Sequence, residues 1–421
     1  MVAFALMFYF VISAILQYYA YPTQTKVEVR LDRTMIFPAV TVCSGNSYRY
    51  DKINASLVSF FNRLMSPNAT FDQNLLNSLV IPLVVDLFSR NQTEELVSVG
   101  FQLSDMLLSC TYNGLNCADV FTQSISAALG NCFTFNWKTS TKLFTISDFG
   151  EDIVLKEGLS MTFYIPQEVF FPSSWFDAGL IILLHDNDEL PMPNENGLYL
   201  QPARSHLITY RKSETTFLPS PYTNCTSNVR DDLHALYKTT FLDSTMSTKI
   251  AYSESLCLEL CEQAYIFSQC SCILPMPFFA RNVFTLDDQL ISANFCNIFT
   301  SQLSCTVSAK QQLLASSDLQ RLWCTHCVPQ CLHTYFKSDL SAQSGPSVGE
   351  SEQWHELLVT QNYTGKVLLP NDFAQRFDYY FNRNYLKILV SCGSKYVTEY
   401  KQEPKLTIID TFSAIGGQTG L

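Results

Sequence analysis

Apolar and polar positions alternate with different periods in different parts of the chain. The first nineteen residues, MVAFALMFYFVISAILQYY, are uncharged and almost uninterruptedly apolar. Residues 35–43 alternate as in a strand, and apolar residues three and four apart predict helices between 50 and 108. Strand patterns return in NCFTFNW, TKLFTI and LSMTFYI, and AGLIILLHDNDELP predicts a buried strand that ends in an acidic turn. These patterns predict an α+β fold.

The last quarter of the chain continues the alternation of helices and strands. Residues 352–381, from EQWHELLVTQ to DFAQRFDYYF, have the spacing of a long helical segment. Residues 385–410 have the pattern of two strands around Gly-Ser, which predicts a β-hairpin. The final FSAIGGQTGL is apolar but too short to span a bilayer.

The apolar N-terminal segment predicts a transmembrane helix, because about 20 apolar residues are needed to cross a bilayer. Tyr18, Tyr19 and Tyr21 follow as an aromatic belt where the helix leaves the lipid. The alternative is a signal peptide, which has a basic start and a small-residue cleavage site. Neither feature is present, so we favour the membrane helix.

Nine of the fifteen cysteines lie between Cys257 and Cys331. Cys257 and Cys261 have the i, i+4 spacing of one helix face, and CTHCVPQC has the spacing of successive turns, which together predict a disulfide-stapled helical hairpin. The loop TYNGLN between Cys110 and Cys117 predicts a local disulfide. In a reducing cytosol the same cysteines would indicate metal sites.

Glycosylation sequons support the oxidising compartment. The Asn-x-Ser/Thr motifs begin at Asn54, Asn68, Asn91, Asn224 and Asn362. Together with the cysteines they predict an extracellular, disulfide-bonded glycoprotein.

Composition narrows the possible functions. The 421 residues predict two to three domains or a multi-part ectodomain. The net charge of −11 argues against a nucleic-acid ligand, since such ligands select Lys and Arg. An acidic surface favours cations and basic ligands nearby, although most acidic proteins use the charge only for solubility.

The sequence gives no support for an enzyme, because the common nucleophile, zinc-protease and nucleotide-binding motifs are absent. A zinc or redox site at Cys324 and Cys327, with His326 and His333, is disfavoured by the extracellular context, so no metal is predicted there. The turn after His185 contains Asp186, Asp188 and Glu189. This acidic turn either holds a proton or divalent cation or is a solvated strand end.

Several motifs, in order along the whole chain, resemble the degenerin and epithelial sodium channel family, which includes acid-sensing and FMRFamide-gated channels. They are Tyr21-Pro22, FPAVTVC, MLLSCTYNGLNC, GNCFTFN, AGLIILLHDNDELP, LPSPYTNC, the cysteine block and IGGQTGL. One departure is that the family's CxxxCxxxxY ends in Phe336, with Tyr335 one residue earlier.

The resemblance implies a disulfide-rich clenched-hand ectodomain on two transmembrane helices, the second of which is missing from this chain. The implied parts are the first transmembrane helix (1–20), first palm strands (21–49), part of the finger (50–135), palm and β-ball (136–225), thumb (226–331), palm with knuckle helix (332–407) and the start of the second transmembrane helix (408–421). It also implies three subunits around one pore.

The family's disulfides, transferred by position, imply seven pairs. They are Cys43 with Cys132, Cys110 with Cys117, Cys225 with Cys331, Cys257 with Cys327, Cys261 with Cys324, Cys270 with Cys305, and Cys272 with Cys296. WCTHC is one residue longer than the acid-sensing pattern, so the pairings of Cys257 and Cys261 are exchangeable at this stage. Cys392 is left over as a buried free thiol.

The resemblance also implies how the parts work together. A cross-linked thumb moves as a lever, and its base touches the first membrane helix through an aromatic contact that falls on Tyr21 and Tyr222. The implied pore mouth contains Gly416, Gly417 and Gly420, where close approach of three chains is possible. Ala414 stands where the family commonly has an aspartate.

The stimulus is predicted from the acidic turn and the finger. The thumb segment AKQQLLASSDLQRLW offers the turn only Asp318 beside Lys310 and Arg321, which makes acid a poor main stimulus. The finger is rich in aromatic residues, among them Phe60, Phe61, Phe71, Phe88 and Phe101. They predict either a filled helical core or a hydrophobic cleft for an amidated, Arg-bearing, Phe-rich peptide.

The prediction is a subunit of a homotrimeric, amiloride-sensitive, sodium-selective channel of the plasma membrane, opened by an extracellular FMRFamide-like neuropeptide. Its expected partners are two further subunits, the lipid bilayer, the peptide and the blocker amiloride. No cofactor is expected besides permeating sodium ions and N-linked glycans. The alternatives are a channel opened by acid, by bile-acid-like molecules or by mechanical load, and a non-conducting single-pass receptor.

Overall fold

The structure, a computed structural model, describes residues 2–64, 73–137, 143–146, 158–172, 178–242, 250–275, 277–297, 299–361 and 365–419. The helices are α1 (Val2–Tyr19), α2 (Tyr50–Leu64), α3 (Gln73–Ser89), α4 (Thr93–Val99), α5 (Leu103–Met106), α6 (Pro193–Asn196), α7 (Asp231–Thr240), α8 (Glu254–Cys270), α9 (Ser301–Ala315), α10 (Ser317–Trp323), α11 (Val348–His355), α12 (Phe377–Asn384) and α13 (Ile408–Thr419). The strands are β1 (Thr23–Leu31), β2 (Ala39–Ser44), β3 (Leu107–Tyr112), β4 (Leu115–Asn116), β5 (Phe121–Ser126), β6 (Gly130–Phe135), β7 (Leu159–Tyr164), β8 (Leu180–His185), β9 (Leu198–Leu200), β10 (Arg204–Thr216), β11 (Asn282–Phe284), β12 (Leu290–Ser292), β13 (Leu332–Ser344), β14 (Tyr385–Cys392) and β15 (Tyr396–Pro404).

Two sheets pack against each other at the centre of the molecule. The large sheet has eight strands in the order β1-β15-β10-β14-β7-β3-β4, with β13 on the other side of β10. The small sheet has the order β5-β6-β2-β8-β9. Buried apolar residues from both sheets, such as Val40, Ile182 and Ile388, form one core between them. The predicted α+β class is confirmed.

The last two strands do not form the predicted β-hairpin. β14 pairs in parallel with Arg204–Tyr210 of β10, and β15 pairs in parallel with Ser213–Thr216 of the same strand. Both strands therefore run in the same direction, and residues 393–395 only bend the chain. Gly393 donates its N–H to the carbonyl of Tyr210 at 2.8 Å. The Gly-Ser pair resembles a hairpin turn in sequence, but after it β15 continues along the same side of β10 with which β14 pairs.

The helices α2, α3 and α4 form a layer beside the small sheet. Ile53, Leu57 and Val84 are buried in their common core, as apolar spacings of three and four predict. The predicted long helical segment at 352–381 is shorter and divided. α11 continues as one π-helical turn to Thr360, and α12 begins only at Phe377.

The cysteine-rich region, the predicted thumb, is stapled differently from the predicted helical hairpin. Cys257 and Cys261 lie on α8, whereas their partners Cys327 and Cys324 lie at and beyond the end of α10. Pro329 prevents a helix from continuing through this segment, because proline has no N–H to donate. α8 therefore packs against α9, and the disulfides tie it to an irregular segment.

The two ends of the chain meet at one end of the large sheet. β1 pairs antiparallel with β15, so that α1 and α13 leave the sheet side by side. Among the described residues, no helix has both the length and the apolar character needed to cross a membrane. The transmembrane assignments of 1–20 and 408–421 therefore stay predictions.

Candidate functional site

Tyr21 and Tyr222, which the sequence paired as a gating contact, lie against each other. Their ring centroids are 5.3 Å apart in an edge-to-face arrangement. Tyr21 has a φ of 48°, in the left-handed region that non-glycine residues rarely adopt. Its N–H donates to the carbonyl of Tyr18 at 3.0 Å, which closes a turn directly after the end of α1. The strained backbone presents the Tyr21 ring to the corner that contains Tyr222.

Gln402 of β15 holds that corner in place, a role that the sequence did not reveal. Its Oε1 accepts from the Leu218 N–H at 2.9 Å and from the Thr223 hydroxyl at 2.7 Å. Its Nε2 donates to the Thr23 hydroxyl at 3.0 Å. One side chain thus joins the corner at 218–223 to both strands that lead to α1 and α13.

The predicted thumb behind this corner is heavily cross-linked. The structure contains the disulfides Cys43–Cys132, Cys110–Cys117, Cys225–Cys331, Cys257–Cys327, Cys261–Cys324, Cys270–Cys305 and Cys272–Cys296. These are the pairs that the resemblance implied, and of the two arrangements left open for Cys257 and Cys261 the structure has Cys257–Cys327 and Cys261–Cys324. Cross-links across 63, 70 and 106 residues each destabilise the unfolded chain by about 4 to 5 kcal/mol. In the folded state these three bonds join α8 and Cys225 covalently to residues 324–331.

The acidic turn is bonded directly to the thumb. The Tyr237 hydroxyl on α7 accepts the Leu190 N–H at 2.7 Å and faces the Ala251 carbonyl at 3.1 Å. The Ala251 N–H in turn donates to the Asp188 carbonyl at 3.0 Å. The turn is therefore a junction between β8 and the start of the thumb rather than a solvated strand end.

Burial changes the protonation of this junction. It raises the pKa of Glu189 to about 7, reinforced by Asp186 and Asp188 and opposed by hydrogen bonds from Ser253 and Gln330. The pKa of Asp186 is raised for the same first reason, burial, with a smaller contribution from Asp188. The Nδ1–H of His185 donates to the Asp186 carbonyl at 2.8 Å, and its Nε2 accepts from the Thr41 hydroxyl at 2.8 Å. Burial lowers the pKa of His185 to about 4.

Acid sensing was predicted to be weak because few acids on the thumb face the turn and Lys310 would reduce their effect on its pKa. The raised pKa of Glu189 has a different cause. In the structure the Lys310 ammonium pairs with Glu262 at 2.7 Å. The pKa of Glu189 is raised mainly by loss of water, which a sequence does not show.

The four predicted ligand phenylalanines that the structure describes do not line one open cleft. Phe61 and Phe101 are buried in the core, and Phe60 is 5% exposed. Phe88 stacks on Phe279 with centroids 4.5 Å apart, which joins α3 to the thumb. Phe71 lies outside the described residues. Apolar helix positions in a small helical layer mainly fill its own core. With Phe71 outside the described residues, the ligand cleft stays a prediction.

An open groove of about 290 Å³ does lie between α2, α3 and α4. Its apolar floor includes Phe60, Leu83 and Leu87. Its rim is charged and contains two arginines and two acids, Arg63, Arg90, Asp86 and Glu95. The volume is close to the lower limit of about 300 Å³ for small-molecule sites, so one or two amino-acid residues would fit.

The remaining predicted site residues are placed as follows. Asn54 lies half-buried on α2, and Asn91 and Asn224 are exposed. Gly416 and Gly417 lie on α13, and a Cβ atom at Gly417 would meet nothing within 4 Å. Asn68, Asn362 and Gly420 lie outside the described residues. Glycosylation and the pore mouth stay predictions.

One motif departure places a different side chain in the core, at Phe336. That ring is buried and contacts Tyr210 edge-to-face at 5.8 Å, while Tyr335 is exposed. In the described ranges, the one group of three close potential metal ligands is Cys257, His326 and Cys327, whose sulfurs form a disulfide. Cys392 is a half-buried free thiol whose Sγ lies 3.1 Å from the Ser394 carbonyl.

A family model described as "Amiloride-sensitive sodium channel" matches residues 1–421, the whole chain. The chain belongs to this family. Membership of an ion-channel family agrees with the prediction that the chain is not an enzyme.

The relatives of this chain include channels named for bile acid, for acid and for the epithelium. The chain is 27% identical over 317 residues to the bile acid-sensitive ion channel of Homo sapiens, covering 70% of this chain and 59% of the relative. It is 25% identical to the acid-sensing ion channel 1B of Danio rerio (62% and 45% covered). It is also 25% identical to the epithelial sodium channel subunit beta of Rattus norvegicus (91% and 53% covered). The chain thus spans about half the length of these relatives.

Proposed function

We propose that the chain acts as a subunit of a trimeric, amiloride-sensitive sodium channel of the plasma membrane that an extracellular ligand opens. The observation that supports this most is the contact between Tyr21 and Tyr222, held by Gln402. It connects a disulfide-stapled thumb to the helix that precedes β1. Movement of the thumb is transmitted to α1 because the thumb itself is too cross-linked to absorb the strain.

We propose an extracellular neuropeptide as the agonist, with FMRFamide-like peptides as the first to test. The groove between α2, α3 and α4 supports this, since it combines an apolar floor with charged groups. The net charge of −11 raises the local concentration of basic peptides. Phe88 couples this layer to the thumb through Phe279.

Acid is the second candidate stimulus because one observation favours it. Glu189 has its pKa raised to about 7 at the turn that Tyr237 bonds to the thumb. Protonation between pH 8 and 6 would change the charge of that junction.

The test of the stimulus is two-electrode voltage clamp of oocytes that express the full-length protein. Peptides at neutral pH, then acid steps and then a bile acid are applied, each with and without amiloride. Current evoked by peptide at neutral pH supports the peptide proposal. Current evoked only by acid transfers the agonist site to Asp186, Asp188 and Glu189, and current evoked only by the bile acid excludes both.

The proposed subunit contact is an exposed apolar face at the α1 end of the large sheet. Val27, Val29 and Leu31 lie opposite Tyr400, Thr398 and Tyr396 on this face. Val29 is 64% exposed. The opposite face of the same strands is charged, and Arg30 there pairs with Glu399, Asp32 and Glu214. A contiguous exposed apolar face is typical of a protein interface.

We therefore expect Val29→Lys to weaken trimer formation roughly tenfold or more, since it places a charge where apolar area is buried. Mass photometry of the purified full-length protein measures the trimer fraction at nanomolar concentration. Gln24→Lys, on the opposite face of the same strand, is the matched control and should leave trimers intact. Equal trimer fractions for both variants would show that this face is not the subunit contact.

A further inference from the structure

The groove between α2, α3 and α4 has two arginines that converge on one carboxylate. Arg63 Nη2 lies 2.8 Å from Asp86 Oδ2, and Arg90 Nε lies 3.0 Å from Asp86 Oδ1. A further Arg90 N–H also donates to Asp86. Both oxygens of Asp86 are thus occupied, and the trio of charges carries a net positive charge. Arg63 also lies over the Phe60 ring, 5.2 Å from its centroid.

The second acid of the groove, Glu95, acts electrostatically on Arg90, but its carboxylate is hydrogen-bonded on the α4 side. Glu95 lies at the α4 side, where its Oε1 accepts from the Ser56 hydroxyl at 2.9 Å. The two arginine side chains are 47% and 42% exposed, so a ligand in the groove can reach them. Each guanidinium has five N–H donors, of which Asp86 accepts one from Arg63 and two from Arg90.

From this arrangement we propose that the groove binds a carboxylate group carried by an extracellular ligand. The carboxylate lies between Arg63 and Arg90 and accepts their outward N–H groups, a geometry that guanidinium favours. The ligand's apolar part packs on Phe60, Leu83 and Leu87. A cationic ligand group meets an Asp86 that is already occupied and gains only Glu95.

The proposed site specifies the chemical group of a ligand that binds between α2, α3 and α4. The effect of this ligand on gating rests on the proposed function. The site adds peptides with a free C-terminal carboxylate or an acidic side chain to the agonists that are tested beside the amidated ones. Binding itself is independent of whether the channel opens.

The test measures binding of two matched probes to the full-length channel in detergent. They are N-acetyl-leucyl-phenylalanine as the free acid and as its C-terminal amide, titrated by saturation-transfer NMR. The acid should bind at least tenfold more tightly than the amide. Arg63→Gln and Arg90→Gln should each weaken acid binding about tenfold and leave amide binding unchanged, which also shows that the variants are folded.

Two further variants give the test a matched control and a result of opposite sign. Lys52→Gln removes an exposed charge from α2 outside the groove and should change neither affinity. Asp86→Asn frees both guanidinium groups and should strengthen acid binding severalfold. Equal affinities for acid and amide, or equal losses in Lys52→Gln and Arg63→Gln, would overturn the inference. A channel that peptides open without any such preference keeps the proposed function and loses only this site.

Discussion

Replacing Tyr222 by alanine is expected to reduce the agonist-evoked current at least tenfold while the protein still reaches the cell surface. The substitution removes the ring that contacts Tyr21, and Tyr222 lies on a corner whose fold depends on other groups. Those groups are the Cys225–Cys331 disulfide and the Gln402 hydrogen bonds. The thumb should therefore fold but no longer move α1. Voltage clamp together with surface biotinylation measures both quantities.

The hydroxyl of Tyr222 gives the matched control. An edge-to-face contact requires the ring and not the hydroxyl, so Tyr222→Phe should retain most of the current. If Tyr222→Ala conducted like the unchanged channel at equal surface density, the contact would not transmit thumb movement. If Tyr222→Phe were as inactive as Tyr222→Ala, a polar role of the hydroxyl would replace the aromatic one.

Glu189→Gln is expected to stabilise the folded protein at pH 8 by about 1–3 kcal/mol and to have little effect at pH 5. The pKa of Glu189 is raised from the model-compound value of 4.5 to about 7 in the fold, chiefly by burial. The folded state therefore holds this proton more tightly than the unfolded state. Each unit of difference in pKa corresponds to about 1.4 kcal/mol.

The direction of the pH dependence follows from the same linkage. Below pH 4.5 Glu189 is protonated in both states, and its contribution to stability is complete. As the pH rises through about 7 this contribution is lost, because a charge must be kept in a buried turn. Glutamine resembles the protonated acid at every pH, so the variant should be less sensitive to pH than the unchanged protein.

Denaturant unfolding of the full-length protein at pH 5 and pH 8 measures this difference. Glu94→Gln, which removes an exposed carboxylate on α4, is the control and should keep the pH dependence. A Glu189→Gln protein that unfolds more easily at pH 8 would contradict the account, since Glu189 would then be needed as a charged group.

Local patterns predicted much of the fold. The run AGLIILLHDNDELP became the fully buried strand β8, and the apolar spacings at 50–64 became α2. The parallel direction of β14 and β15 could not be predicted, because the same local pattern fits both a hairpin and a bend. Which strand each one pairs with depends on β10, far away in the sequence.

The candidate site was predictable where a motif fixes a single residue and not where several segments meet. Tyr21, Tyr222 and the cysteines came from motifs. Gln402 acts through residues far away in the sequence, and Arg63 and Arg90 become a pair only when α2 packs on α3. The pKa of Glu189 depends on burial by the thumb, which no local pattern contains.

The most direct test of the central claim, that this chain forms a sodium channel, is ion replacement under voltage clamp. Oocytes that express the full-length protein are held at a negative potential while the agonist is applied. The account predicts an inward current that disappears when sodium is replaced by N-methyl-D-glucamine and when amiloride is added. No current under any of the stimuli, with surface expression of the protein confirmed, would contradict it and would favour a non-conducting receptor.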